Sequence, residues 1–290
     1  MSTDSTIAAG SPPGTRRASR LRPFLRPQII GGSVVVLLWL LVIVLAGVLA
    51  PHDPMAASGP RLQAPSGAHW LGTDTLGRDV FSRMLYGARQ SIPLAVLTLV
   101  ISVVVGSLVG AIAGYFGGIL DALVMRLADI VMAFPSILLA MAVTAALGPG
   151  LWHAFIAIVI VWWPIYARLM RGQVLSLKER EHVTAARAIG LGPWKTLFKH
   201  IVPHSLTPVI VSATIDLGTV IIMIASLSFL GLGALPPSPE WGAMITEGAS
   251  NFYQWWIATG PGVAMVSIVL AVNFLGDGLR DVLDVKTRTR

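Results

Sequence analysis

The chain has 290 residues, 54% of them hydrophobic and only 12% charged, with a mean hydropathy of +0.75 and a formal charge of +7. A soluble protein carries about a quarter charged residues, so this composition excludes one and indicates a polytopic membrane protein. With no cysteine in the chain, disulfides, thiolate catalysis, cysteine-based metal sites and a lipoprotein anchor are excluded as well.

Residues 1–28 are rich in Ser, Pro, Gly and Arg, with Arg16, Arg17, Arg20, Arg22 and Arg26 against one acid, Asp4. They read as a disordered cytoplasmic tail whose arginines touch anionic lipid rather than nucleic acid. Ile29 to Ala50 is an uncharged apolar run. At 1.5 Å per residue it spans roughly 33 Å, enough for a bilayer core, and it exceeds the ~7–15 residues of a signal-peptide core, so an uncleaved first helix is expected.

An outer segment follows over residues 51–90. Gly72-Thr73-Asp74 reads as a turn with an Asx cap, and Asp79 with Arg83 as an i,i+4 acid–base pair on a short interfacial helix. Asp74, Arg78 and Asp79 invite a metal or catalytic reading. No histidine or third carboxylate has ligand spacing close by in the sequence, so capping and ion pairing are expected instead.

The second span is expected over residues 91–118. Gly106, Gly110, Gly114 and Gly118 recur every four residues on one face, a small-residue seam along which two helices pack backbone to backbone. The third span covers residues 122–147, kinked at Pro135, with Asp129 near its inner end paired to Arg126. Gly148-Pro149-Gly150 turns the chain into the fourth span, which runs from Leu151 to about Leu169.

Residues 172–203 form a polar, basic interruption. Good helix formers run from Lys178 to Ala188; Gly190, Gly192 and Pro193 break that helix, and Pro203 stops the short one from Trp194. Ala185, Ala186, Ala188 and Gly190 lack bulk, and Ala186 and Gly190 share a face by their spacing. A short helix with a small-residue face flanked by charge suits a groove on a partner.

The fifth span, residues 206–232, contains Asp216 about two turns in. An intramembrane carboxylate is costly and functional by default. Asp216 either lines a translocation path or hydrogen-bonds a neighbouring helix; a water-exposed pathway position is the expectation. Residues 234–260 form a tryptophan-rich outer loop with Glu240 and Glu247, the last span covers about 261–275, and 281–290 is a short cytoplasmic tail.

Six spans put both ends on one side. The inner segments then hold seventeen Lys and Arg and the outer ones four, Arg61, Arg78, Arg83 and Arg89. This positive-inside imbalance makes the termini and residues 172–203 cytoplasmic. No phosphate-cradling Gly-x-x-x-x-Gly-Lys-Ser/Thr, Gly-x-Ser-x-Gly elbow or complete dinucleotide fingerprint occurs, and Pro203 interrupts the pair His200 and His204. No catalytic or metal-ligating residue is therefore assigned, and energy for active transport must come from another chain or an ion gradient.

Three motifs carry a resemblance. Glu181-x-Val183-x-Ala185-Ala186-Arg187-Ala188-x-Gly190, with Pro203 after a fixed gap, resembles the EAA loop of ABC importer permeases, in particular the dipeptide/oligopeptide/nickel subgroup. Leu71-Gly72-Thr73-Asp74-x-x-Gly77-Arg78-Asp79 and Gly276-Asp277-Gly278-Leu279-Arg280-Asp281 are similar to the same subgroup. The chain departs from it at Thr184, which stands for the glutamate that names the loop, at Ile224, where a glutamate is frequent, and after Asp281, where Ala-Leu-Asp-Pro is usual.

The resemblance implies an all-α, six-helix permease domain of the type I ABC importer kind over residues 29–280, in a bacterial-type inner membrane. It implies a C-type permease subunit for dipeptides or oligopeptides, paired with a second homologous permease, two cytoplasmic ATPases that use ATP-Mg, and an external peptide-binding protein. Glu181, Thr184, Ala185, Ala186, Arg187, Gly190 and Pro203 would then couple to an ATPase. Rival readings are a nickel or glutathione permease on the same scaffold and an ion-coupled secondary transporter, which usually sets several ionisable groups at the midplane and shows inverted repeats.

Overall fold

Each long apolar run becomes a helix, because in hydrocarbon every backbone polar group must find its partner within the chain. The computed structural model describes residues 27–288, with side chains through residue 281. The expected N-terminal tail therefore lies outside the described residues except for its last two. Ten helices follow in order: α1 Pro27–Leu49, α2 Val80–Phe116, α3 Gly118–Met132, α4 Ser136–Leu147, α5 Leu151–Leu177, α6 Glu181–Ala188, α7 Pro193–Thr196, α8 Val202–Phe229, α9 Trp241–Ser250 and α10 Trp256–Arg288. Among the described residues the only β feature is an isolated bridge between Thr73 and Asp79.

Five helical stretches are each long and apolar enough to cross a membrane: α1, α2, α5, α7 through α8, and α10. The sixth crossing is not one helix. α3 and α4 pass the same test only together, and they are bent by 93°. Pro135 offers no N–H and disfavours a helical conformation at the residue before it, so the expected kink is a break.

Other boundaries also differ from expectation. α2 takes in the interfacial helix and the second span as one 37-residue helix that runs through Pro93. α10 does not end near Leu275 but continues through the Gly-Asp-Gly-Leu-Arg-Asp stretch to Arg288. Pro203 does not stop a helix either. A π-helical turn, Leu197–Ile201, joins α7 to α8, and the Val202 N–H reaches back to the Leu197 carbonyl. The wider turn makes room for a proline whose ring would otherwise crowd the preceding turn of an α-helix.

α2 and α5 form the centre. A Cβ on Gly106 would stand 2.3 Å from the Trp163 carbonyl oxygen, and one on Gly110 2.0 Å from that of Ala167. Gly114 lies one turn further along, facing Arg171. Gly118 is not part of this seam: α2 ends at Phe116, and Gly118 has φ +64 with nothing within 4 Å of its would-be side chain. Around this pair α1 presents Leu37, Leu41, Val44 and Val48 outward and buries Gly32, Trp39, Val42 and Ala46. Outward leucines cost nothing against lipid tails, which are as apolar as they are.

Two ion pairs join α3 to α5. Arg171 grips Asp121 with two parallel bonds of 2.5 and 2.6 Å. Asp129 pairs with Arg168, not with Arg126 as its spacing on α3 suggested; the partner comes from the facing helix.

α9 packs under the ends of the spans. Its N-cap, Glu240, is wholly buried and accepts from the Ala243 N–H at 2.9 Å and the Ser91 hydroxyl at 3.2 Å. Beside it Trp241 is also fully buried and donates its indole N–H to the Met84 carbonyl at 2.9 Å. Burial pushes the Glu240 carboxyl above its ordinary value of 4.5, against hydrogen bonds from Gly242, Ala243, Ser228 and Ser91 that pull it down.

The folded chain therefore binds the Glu240 proton more tightly than the unfolded chain does. The stability that follows is fully present below the ordinary value and is lost as pH rises through the raised one. Glu240→Gln keeps an acceptor for the Ala243 N–H and removes the titration. We expect the difference in Tm between wild type and variant, measured in detergent, to move in favour of the variant as pH is raised from acidic to neutral. A difference that stays flat across that range contradicts the raised carboxyl.

Candidate functional site

The stretch Arg180–Pro203 leaves the bundle at the end of α5 and re-enters it through α7. Glu181 opens α6 and Arg187 closes it, the charge order that the helix dipole favours. Gly190, at φ +83, ends it. The Leu191 N–H then bonds the Ala186 carbonyl at 3.2 Å and the Gly190 N–H the Arg187 carbonyl at 3.0 Å, a Schellman cap that satisfies two carbonyls the helix would otherwise leave open.

Val183 and Ala186 turn inward and are buried, whereas Glu181, Thr184, Ala185 and Ala188 are exposed at helical spacing and form the outward face. Ala186 and Gly190 therefore do not share a docking face; the first anchors α6 and the second caps it. The Arg187 guanidinium lies 5.3 Å from the centre of the Tyr115 ring, fastening α6 to the end of α2. Next to α6 an apolar edge is uncovered, with Ile189 78% and Trp194 53% exposed. Trp194 stacks on Phe198 and meets Phe116 at 4.9 Å.

Asp216 lies within the bundle, half-buried on α8. The Tyr166 hydroxyl donates to it from α5 at 2.6 Å, and Tyr166 itself is wholly buried. The same tyrosine forms part of the wall against Gly106. Of the two readings left open, a hydrogen bond to a neighbouring helix is thus present, and Asp216 stays partly accessible beside it. Tyr166 had no signal in the sequence: it sits in an apolar run beside two tryptophans, and only the fold aims it at Asp216.

At the opposite end of the bundle, residues 51–79 close over the start of α2. Asp74 accepts from the backbone N–H of Leu76 at 2.8 Å and of Arg78 at 2.9 Å, the expected Asx turn. Its other oxygen takes the Arg78 Nε at 2.6 Å and faces the Arg83 Nε at 3.3 Å. Arg83 also donates to the carbonyls of Pro54, Pro237 and Ser238, tying three segments together.

The expected Asp79–Arg83 pair is replaced. The Asp79 side chain caps α2, accepting from the Ser82 N–H at 2.8 Å and the Ser82 hydroxyl at 2.7 Å, because an N-cap oxygen turns back to the first helical N–H groups. Its second oxygen meets His69 at 2.9 Å, and His52 lies beyond at 3.9 Å. Sequence distance hid both histidines from a search for ligand spacing.

Residues 106–289 match the family model described as binding-protein-dependent transport system inner membrane component. The chain is 45% identical to the probable D,D-dipeptide transport system permease protein DdpC of Escherichia coli (strain K12), over 90% of this chain and 88% of that protein. It is 45% identical to the dipeptide transport system permease protein DppC of Alkalihalophilus pseudofirmus, over 90% and 86%. To the glutathione transport system permease protein GsiD of Pectobacterium atrosepticum it is 43% identical, over 92% and 90%.

Proposed function

Because this chain belongs to the binding-protein-dependent transport system inner membrane component family, we propose that its outward α6 face is where ATP hydrolysis in a partner chain meets the translocation path. The protein is a transmembrane permease subunit of an ATP-driven peptide importer. Glutathione is itself a small peptide, so relatives that carry it fit the same class of path. As a transport subunit it supplies path and coupling; ATP-Mg is used by two partner ATPases, a second homologous permease completes the path, and an external binding protein delivers the peptide.

The observation that carries the coupling reading is the construction of α6. Glu181, Thr184, Ala185 and Ala188 face outward without bulk, the uncovered Ile189 and Trp194 flank them, and Arg187, Gly190 and the buried Ala186 hold the helix rigid against the bundle. A short, prefixed, small-residue helix loses little entropy on docking. It connects directly to α5 at one end and through α7 to α8 at the other, so a push on it reaches both helices that hold the Tyr166–Asp216 bond.

Ala185→Glu puts a bulky charge on that face without touching the buried side. Transport in membrane vesicles is expected to fall at least about tenfold, the equivalent of ~1.4 kcal/mol of docking free energy, with the chain still inserted and ATP hydrolysis no longer responsive to the binding protein. Gly192→Ala, at an exposed site with nothing within 4 Å, is the matched control and keeps activity. Normal transport by Ala185→Glu in an intact complex overturns the docking face.

The seventeen-to-four charge imbalance supports termini and α6 in the cytoplasm. Ser176 and Ser250 are both exposed, and the chain has no cysteine of its own. Cysteines placed there are expected to label from opposite sides of intact cells, Ser250→Cys from outside; equal labelling of both from outside refutes this orientation.

Asp216 is assigned to the path because it stays partly accessible beside a buried tyrosine. Tyr166→Phe removes its donor and is expected to lower stability by about 1–3 kcal/mol. Asp216→Asn keeps shape and most hydrogen bonding, so it is expected to assemble normally and lose transport most for peptides with a free ammonium group. Unchanged uptake across such peptides removes Asp216 from the path.

A further inference from the structure

His52, His69 and Asp79 are far apart in sequence and meet between the exit of α1 and the start of α2. One nitrogen of each imidazole and one carboxylate oxygen lie within 4.8 Å of one another. The His69 Nδ1 is 2.9 Å and the His52 Nδ1 3.9 Å from the Asp79 Oδ1. The two rings face each other, with centres 4.7 Å apart and planes tilted by 35°. Ser82 holds the other Asp79 oxygen through its N–H and its hydroxyl, so the free oxygen has a fixed aim.

Two features of this cluster remain unbalanced. Asp79 is wholly buried, yet among the described residues no lysine or arginine side chain comes within ion-pair distance of it. Asp74, also buried, has both Arg78 and Arg83. A carboxylate taken out of water without a cation is costly. The second feature is the His52 Nδ1, which is shielded from solvent and has no hydrogen-bond partner. A divalent ion between the three groups resolves both.

We propose that His52, His69 and Asp79 bind one divalent transition-metal ion of the zinc type, which staples the segment leaving α1 to the cap of α2. Two imidazole nitrogens and one carboxylate oxygen are the borderline donor set that zinc takes, whereas calcium and magnesium require mostly oxygen. Around a tetrahedral ion with bonds of about 2.0–2.1 Å, neighbouring donors stand roughly 3.3 Å apart. The two separations from Asp79, 2.9 and 3.9 Å, fall on either side of that figure. A cleft of about 590 Å³, lined by Pro51, His52, Tyr86, Gln90 and Pro239 among others, gives an ion and its remaining water a way in beside His52.

The test uses the untagged full-length chain in its purified complex, stripped with a chelator and dialysed against zinc alone. The expected result is one zinc per copy of this chain, with a rise in Tm on binding. His52 is the residue to change, since it is partly exposed while His69 and Asp79 are buried. His52→Gln is expected to weaken zinc binding by at least about tenfold, since even groups behind the ligands of a metal site matter that much. It is also expected to abolish the visible bands of a tetrahedral site when cobalt replaces zinc. His182→Gln, at a histidine that meets His204 elsewhere, leaves both readouts unchanged. Substoichiometric zinc in the wild type, or one equivalent that survives His52→Gln, overturns the site.

Discussion

The touching backbones of α2 and α5 set the terms for everything around them. Lipid tails are as apolar as leucine, so helices in a membrane gain nothing from hiding apolar surface from each other and must gain from closeness and polar contacts instead. Gly106 and Gly110 permit that closeness, because any Cβ there would run into the carbonyls of Trp163 and Ala167. From this fixed pair the remaining contacts branch. Tyr166 reaches α8 through Asp216, and Arg168 and Arg171 reach α3 through Asp129 and Asp121. At the other end of α2, Met84 and Ser91 receive Trp241 and Glu240 from α9.

Polar residues divide the labour between the two ends of the bundle. At one end Asp74, Arg78, Asp79, Arg83 and Glu240 are all nearly or wholly buried. Breaking one member of such a network leaves its partner charged and unpaired, which is far more damaging than losing a surface pair. The segment that would otherwise be a loose 30-residue connection between α1 and α2 is thereby pinned at many points. At the other end α6 keeps its charges in solvent, and its rigidity comes from a cap, a cation over a ring and two small buried side chains.

Hydropathy made the spans legible because an apolar run of that length has few other stable fates. Their ends were not. Pro203 reads as a stop, yet the chain continues helical through it, as it does through Pro93. At Pro203 the wider turn at Leu197–Ile201 takes up the proline without ending the helix. At Pro135 the break did occur, between two shorter helices. Residues 172–203 were legible as a motif but not as a surface, since an alanine-rich helix of eight residues does not reveal in its sequence which small residue faces inward. Side-chain partners were the least legible. Arg83 could be paired by spacing with Asp79, but only the fold brings Asp74 nearer; Asp129 likewise had a local partner and takes a distant one.

The turn at Leu197–Ile201 has an angular consequence. An α-helix advances about 100° per residue, and a π turn holds roughly one residue more than an α turn. The side chains of α7 are therefore out of phase with those of α8 by about that angle. Trp194 and Phe198, stacked with planes 7° apart, are aimed by this offset. The azimuth of the α6–α7 elbow around the bundle is thus set by five residues, separately from the glycine seam that orients the spans, and one can be retuned without disturbing the other.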